Sequence, residues 1–475
     1  MDDAVTKYLP ELSSPSSPMS WDNITLRHLA SQLSGLPPNY GFSEFYFLKS
    51  YFQSLGFPPI NDTDFPPCGV IGLNKGCSKE QLLKAMLTVR PVAEPMGKPV
   101  YSNVAFTILV YAVEAATGMN YTQQLAHFLT GPFNMTSTFP SPGNDSLAVI
   151  PPMENTWGSP YGENAPGGGL VSTLADLSAF AHSILSETVL QTPTRVREWL
   201  QPAAFAGSRN SLVGSPWEIY VPPSHLLTPT RPRSIPVYSK GGAAYGYSSR
   251  LAVVPELGVG VVVLTAGAGD GLTYIFDAAL SVLAPAVDDA AHEEAERLGY
   301  VGRFASAAGA GANASAAIAW DDGGDGVLHI AALGSNGSDV LAAIPRIWAA
   351  TLGGFLPGTG PNDTAAAAYR IFPTGVSVPG TVDVRTSSGA ASRRAVVRED
   401  WRIWWETAIS RRSGLPGAGL SEHDCLLWAF ADWLHYGGEA LERVVFVKDA
   451  ATREVLGVEI PFLRSGLLQP VASSG

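Results

Sequence analysis

The chain has 475 residues, 46% of them hydrophobic and only 15% charged, with a formal net charge of −12 at neutral pH. That length suits about two or three domains, and so apolar a composition excludes an intrinsically disordered chain. The acidic balance, with no run of five or more basic residues, excludes nucleic acid as a partner, because the phosphate backbone is gripped by clustered Lys and Arg.

Taken in chain order, residues 1–20 carry Pro10, Pro15 and Pro18 and read as an extended lead-in. Leu26, Leu29 and Leu33 recur at helical spacing after Thr25, and Gly35-Leu36-Pro37-Pro38 ends that helix. Residues 40–56 are rich in aromatics and are expected to pack as a helix, and a further helix is expected from Glu80 to Val89. Val104 to Thr117 has helical periodicity and stops at Gly118, a usual residue past a helix end. Helical character resumes over Tyr121 to Leu129. Gly167-Gly168-Gly169 is a turn, and Thr173 can cap a helix reaching Leu185. The runs Ser249 to Val254 and Val259 to Thr265, separated by Pro-Glu-Leu-Gly, read as a hairpin. A helix from Leu272 to Leu283 follows.

Near residue 285 the composition shifts. Residues 286–298 are expected as a charged linker between a domain at 1–285 and a second at 299–475. The second is rich in Ala and Gly and in short β-like segments, including Ala316 to Trp320, Val327 to Ala331, Val444 to Val447 and Leu456 to Ile460. A small β-barrel or sandwich is the simplest architecture. Trp401, Trp404, Trp405, Trp428 and Trp433 are expected in its core, with Asp400 and Glu406 solvated. Apolar runs such as Val104 to Val113 fall short of the roughly 18 residues that a spanning helix needs, so no membrane span is expected.

Asn-x-Ser/Thr occurs at Asn23, Asn61, Asn120, Asn134, Asn144, Asn313, Asn336 and Asn362, where chance gives about two. Cys68 and Cys77 bracket a short Gly- and Asn-containing loop that suits a local disulfide, leaving Cys425 over as a buried thiol. Both features point to a glycosylated, secreted protein, although the N-terminus as written has no signal peptide.

Two segments could carry chemistry. Tyr101 and Asn103 stand two apart just before a helix, so an irregular turn can aim both at one cleft. A tyrosine near a cationic lysine can act as general base, and an asparagine amide can position a polar substrate group. Lys240-Gly241-Gly242 precedes a strand-like run. On an edge strand the glycines, Gly242 included, would admit a substrate backbone closely, Lys240 would supply positive charge, and the Ala243 N–H would supply half of an oxyanion hole. Taken alone, each segment is more often explained by ordinary packing: a tyrosine at the start of a core helix, and a Gly-rich turn into a strand. The eight histidines show no metal-ligand spacing, and neither a Gly-x-Ser-x-Gly elbow nor a phosphate-binding loop occurs, so no metal or cofactor is expected.

The order of five segments is more specific. Ile24-Thr25-Leu26-Arg27-His28-Leu29 with Ser34-Gly35-Leu36, then Tyr101-Ser102-Asn103, then Pro132-Phe133-Asn134-Met135 with Thr138, then Gly167-Gly168-Gly169-Leu170 with Asp176-Leu177, and finally Lys240-Gly241-Gly242 with Gly246-Tyr247 and Ser249 all occur in turn. Together they resemble the serine β-lactamase, penicillin-binding-protein and esterase family, in its class C-related fungal form with a lipocalin-like β domain. The resemblance implies an α/β (α+β) fold: an antiparallel sheet flanked by helices, followed by a small β domain. It implies a serine hydrolase or acyltransferase acting on a small-molecule ester, amide or lactam, with Tyr101 as base, Asn103 as positioning group, and Lys240, Gly242 and Ala243 serving charge and oxyanion. The family's nucleophile lies in Ser-x-x-Lys, and none of the eight lysines here has a serine three residues earlier. Asp2-Asp3-Ala4-Val5 resembles a segment that follows the nucleophile helix, so that helix is expected upstream of Met1. The alternatives are a pseudo-enzyme that binds acyl ligands and a tailoring protein of fungal secondary metabolism.

Overall fold

The structure, a computed structural model, describes residues 1–42, 46–69, 75–267, 271–307, 313–321, 326–351, 368–385, 391–406 and 431–471. It divides into two compact units, one of residues 1–229 and 234–285, the other of residues 230–233 and 286–475.

In the first unit the lead-in is not extended. Val5, Leu9, Leu12 and Trp21 are buried, and the chain coils into short turns around them, because apolar side chains at that spacing are hidden only by winding. Helix α1 (Leu26–Ala30) is capped by Thr25, which accepts the His28 N–H, and ends earlier than expected, just before Gln32 takes a positive φ. The aromatic segment forms a short helix, α2 (Lys49–Ser54), with no buried residue; Phe47, Tyr51, Phe52, Leu55 and Phe57 are exposed. Its expected packing is therefore not seen: aromatic content does not by itself supply a one-sided stripe. Helix α3 (Lys79–Met86) and helix α4 (Asn103–Thr117) bury Leu82, Met86, Val104 and Ile108 in a core shared with Val5, Trp21 and Leu29. Gly118 ends α4 at φ 74°. Helix α5 (Tyr121–Leu125) and helix α6 (Leu174–Leu185, capped by Thr173) follow.

Six antiparallel strands form one sheet in sequential order: β1 (Ala204–Ser208), β2 (Ser211–Val213), β3 (Glu218–Tyr220), β4 (Val237–Ala244), β5 (Tyr247–Val254) and β6 (Val259–Ala266). Leu251 and Val253 point to α6, clustering with Ala181 and Ile184. Gly260 lets that helix come close, since a Cβ there would already touch Ala181 and Leu185 at 3.4 Å. Arg250, Ala252 and Val254 alternate to the other face, where Arg250 lies 4.9 Å from the Phe276 ring of helix α7 (Gly271–Leu298). The sheet is thus flanked by helices, as expected.

Helix α7 runs 28 residues with Pro285 inside it, so the expected linker at 286–298 is helical. By length and composition alone α7 could cross a membrane, but Phe276, Leu280 and Ala284 are buried, and Asp288, Asp289, Glu293 and Glu294 follow.

The second unit is a closed antiparallel barrel of eight strands among the described residues: β7 (Gly302–Ala305), β8 (Ala314–Trp320), β9 (Leu328–Ser335), β10 (Ala368–Arg385), β11 (Ala391–Glu406), β12 (Arg443–Asp449), β13 (Val455–Glu459) and β14 (Leu467–Pro470). The order is β8-β7-β14-β13-β12-β11-β10-β9, and β8 pairs with β9 to close it. Phe304, Ile330, Ile371, Val444, Phe446 and Leu468 fill the core. Trp401 packs against it, 5.2 Å from the Phe446 ring, whereas Trp433 is exposed. Asp400 is not solvated: it is largely buried between Arg402 and Arg443. Trp428 and Cys425, and the side chains of Trp405 and Glu406, fall outside the described residues.

Candidate functional site

Tyr101-Ser102-Asn103 is held from behind by residues 32–39. Ser102 is fully buried and caps α4: its Oγ accepts the Ala105 N–H at 3.1 Å and donates to the Pro37 carbonyl at 2.8 Å. The Ser102 N–H donates to Gln32 Oε1 at 2.7 Å. Ser102 is extended (φ −145°, ψ 113°), so its neighbours point opposite to it. Tyr101 is accordingly half exposed, while Asn103 is only partly covered. The Asn103 amide donates to Asn39 Oδ1 at 3.0 Å, so its donor is directed to a neighbouring loop. Gly167 permits a close approach to this corner, because a Cβ there would sit 2.8 Å from the Asn103 carbonyl oxygen.

Lys240-Gly241-Gly242 lies inside strand β4, not ahead of a strand and not on the edge of the sheet. The register explains how it remains accessible. Strand β3 pairs with β4 only from Val237 to Ser239, ending at Glu218, while β5 accompanies β4 through Ala244. From Lys240 onward β4 overhangs β3 and presents an open backbone edge. The Gly241 N–H faces that edge and donates to Glu218 Oε2 at 2.9 Å. Backbone N–H directions alternate along a strand, so the Ala243 N–H points the same way, toward the open edge. At Gly242 a Cβ would lie 2.6 Å from Ser249 Oγ.

The two segments meet: Lys240 Nζ lies 5.1 Å from the centre of the Tyr101 ring, within cation–π range. The ammonium also donates to Glu218 Oε1 and to the Gly241 carbonyl, each at 2.7 Å. A phenol and an ammonium therefore share one small region, beside the strand edge toward which the Ala243 N–H points.

Gln32, Asn39 and Glu218 were not singled out in the sequence. Only the β3–β4 register brings Glu218 to Lys240, and no periodicity encodes a pairing over 22 residues. Ser34 is buried, with its Oγ accepting the Leu36 N–H. Ser172 shares a hydrogen bond with Thr138, which also donates to Asp176. Cys68 and Cys77 form a disulfide. Asn23, Asn61, Asn120, Asn134, Asn144, Asn313 and Asn336 are all exposed, and Asn362 lies outside the described residues.

A family model described as Beta-lactamase matches residues 1–284, and one described as Beta-lactamase-like-like, C-terminal domain, matches residues 291–471. A "Beta-lactamase-like protein" of Arthroderma benhamiae is 42% identical over 99% of this chain and 77% of its own length. A "Probable hydrolase M10" of Phoma sp. is 28% identical over 100% of this chain and 74% of its own length. Among solved structures, a penicillin-binding protein homologue from Pyrococcus abyssi covers 84% of this chain and 80% of that one, at 16% identity and a TM-score of 0.42.

Proposed function

Since the chain belongs to the β-lactamase family, we propose that its first unit recognises the acyl group of a small-molecule ester, amide or lactam beside Tyr101 and Lys240. The observation that carries this reading is the 5.1 Å approach of Lys240 to the Tyr101 ring, at a strand edge with an outward Ala243 N–H. In this reading Tyr101 exchanges the proton, Asn103 positions a polar group of the ligand, and the Ala243 N–H steadies the carbonyl oxygen. Gly242, with no side chain of its own, would let the ligand approach the strand backbone closely.

The serines around the site serve structure: Ser102 caps α4, and Ser249 donates to the Gly242 carbonyl. With no Ser-x-x-Lys among its lysines, the 475-residue chain by itself holds an acyl ligand without turning it over. Losing one member of a nucleophile–base unit removes nearly all of its catalysis. The test is to incubate the purified 475-residue protein with a fluorophosphonate. No serine labelling is expected. Stoichiometric labelling would overturn the non-catalytic reading and favour turnover.

Turnover is the second reading, supported by the relative named as a probable hydrolase. It covers hydrolysis and acyl transfer, including tailoring of a fungal secondary metabolite. The disulfide and the exposed sequon asparagines support a glycosylated, secreted protein in either case.

A further inference from the structure

Glu218 is at the end of β3, where the β4 edge opens. One of its carboxylate oxygens takes the Lys240 ammonium at 2.7 Å and the other takes the Gly241 N–H at 2.9 Å. Of the three ammonium protons, one is used by Glu218 and one by the Gly241 carbonyl, and the ring of Tyr101 faces the group at 5.1 Å. The positive charge that would draw an anion to this edge is therefore opposed by an equal negative charge in direct contact. Glu218 remains 41% exposed along its side chain, so an incoming ligand experiences that carboxylate as well. Gly241 and Gly242 add no side-chain donor that could offset it.

We propose that Glu218 sets the charge class of the ligand: it neutralises Lys240 and directs the site toward uncharged acyl compounds and away from those bearing a carboxylate. This inference rests on the reading of Tyr101 and Lys240 as an acyl site. Glu218 acts through Lys240 and through the field at the strand edge, as a specificity-determining residue. A strut between β3 and β4 would affect both kinds of ligand alike, whereas the charge changes their ratio, and that difference makes the roles separable.

The experiment compares two probes of one shape, N-acetylglycinamide and N-acetylglycine, titrated by calorimetry into the full chain at low salt. The wild type is expected to bind the neutral amide about tenfold more tightly than the anion, a ratio that salt diminishes. Glu218→Gln removes the charge, and its single amide oxygen keeps one of the two acceptors, so it is expected to bring the ratio to about one or invert it. Glu218→Asp, which keeps the charge, is expected to retain the neutral preference and serves if the Gln variant melts early. A wild type that prefers the anion, or a ratio unchanged in Glu218→Gln, overturns the inference while leaving the acyl site standing. Binding of neither probe to the wild type overturns the acyl-site reading itself.

Discussion

Ser102 shows how a single residue can organise a site without touching a ligand. Its hydroxyl satisfies the Ala105 N–H and the Pro37 carbonyl, and its own N–H is taken by Gln32. Ser102→Ala is therefore expected to cost about 1–2 kcal/mol, a lost helix cap plus a buried carbonyl left unpaired. Urea unfolding followed by circular dichroism measures it. Gly167→Ala should cost about 1–3 kcal/mol, because the new methyl group would meet the Asn103 backbone oxygen at 2.8 Å and its Cβ at 3.0 Å; a lower Tm with weaker ligand binding is the expected result. Glu442, buried in the second unit, has its carboxyl pushed up to about 7 by burial. The Asp432 N–H bonds one of its oxygens while the other has no partner among the described residues. The folded state thus holds this proton more tightly than the unfolded chain. Its contribution to stability is full below the ordinary carboxyl range and is lost as pH rises through about 7. Stability of the wild type relative to Glu442→Gln is expected to fall between pH 4.5 and pH 8, measured by urea unfolding at each pH; a gap independent of pH would refute this assignment.

At the scale of elements, the disulfide closes a loop at the foot of the segment that carries α2. Beside it the backbone at Gly69 passes so near Gly41 that a Cβ would collide with the Gly41 carbonyl. Replacing both cysteines by serine is expected to cost roughly 2–3 kcal/mol for a loop of this length, seen as a lower urea midpoint. The helix caps at Thr25, Thr173 and Gly118 are legible because their signals are local: the two threonines accept N–H groups three residues ahead, and Gly118 takes the left-handed conformation. Strands β1 to β3 escaped notice because they are short and β1 is mostly exposed, so they lack a clear alternating pattern. The aromatic segment departs from expectation for the opposite reason, since Phe47, Tyr51 and Phe52 are apolar yet lie at the surface.

For the molecule as a whole, the first unit is a sheet between helical layers and the second is a closed barrel. Closure by pairing β8 with β9 leaves the cylinder without a free edge, which short β-like segments alone could not distinguish from a sandwich. Exposure of seven sequon asparagines predicts glycosylation on expression through a secretory pathway. A mobility shift on removal of N-glycans, with the modified sites mapped by mass spectrometry, checks it; an unshifted band would count against the secretory reading.

The amino-acid sequence by itself determined the family markers, the helix caps, the hairpin at Pro255 and the β-rich character of the second half, because each depends on neighbours in the chain or on a fixed order of short segments. Only the tertiary structure decided that Lys240 sits within an inner strand, that β4 overhangs β3, and that Glu218 neutralises the lysine facing Tyr101. The physical reason is that strand register and charge pairing are set where distant segments pack together, and neither leaves a periodic trace along the chain.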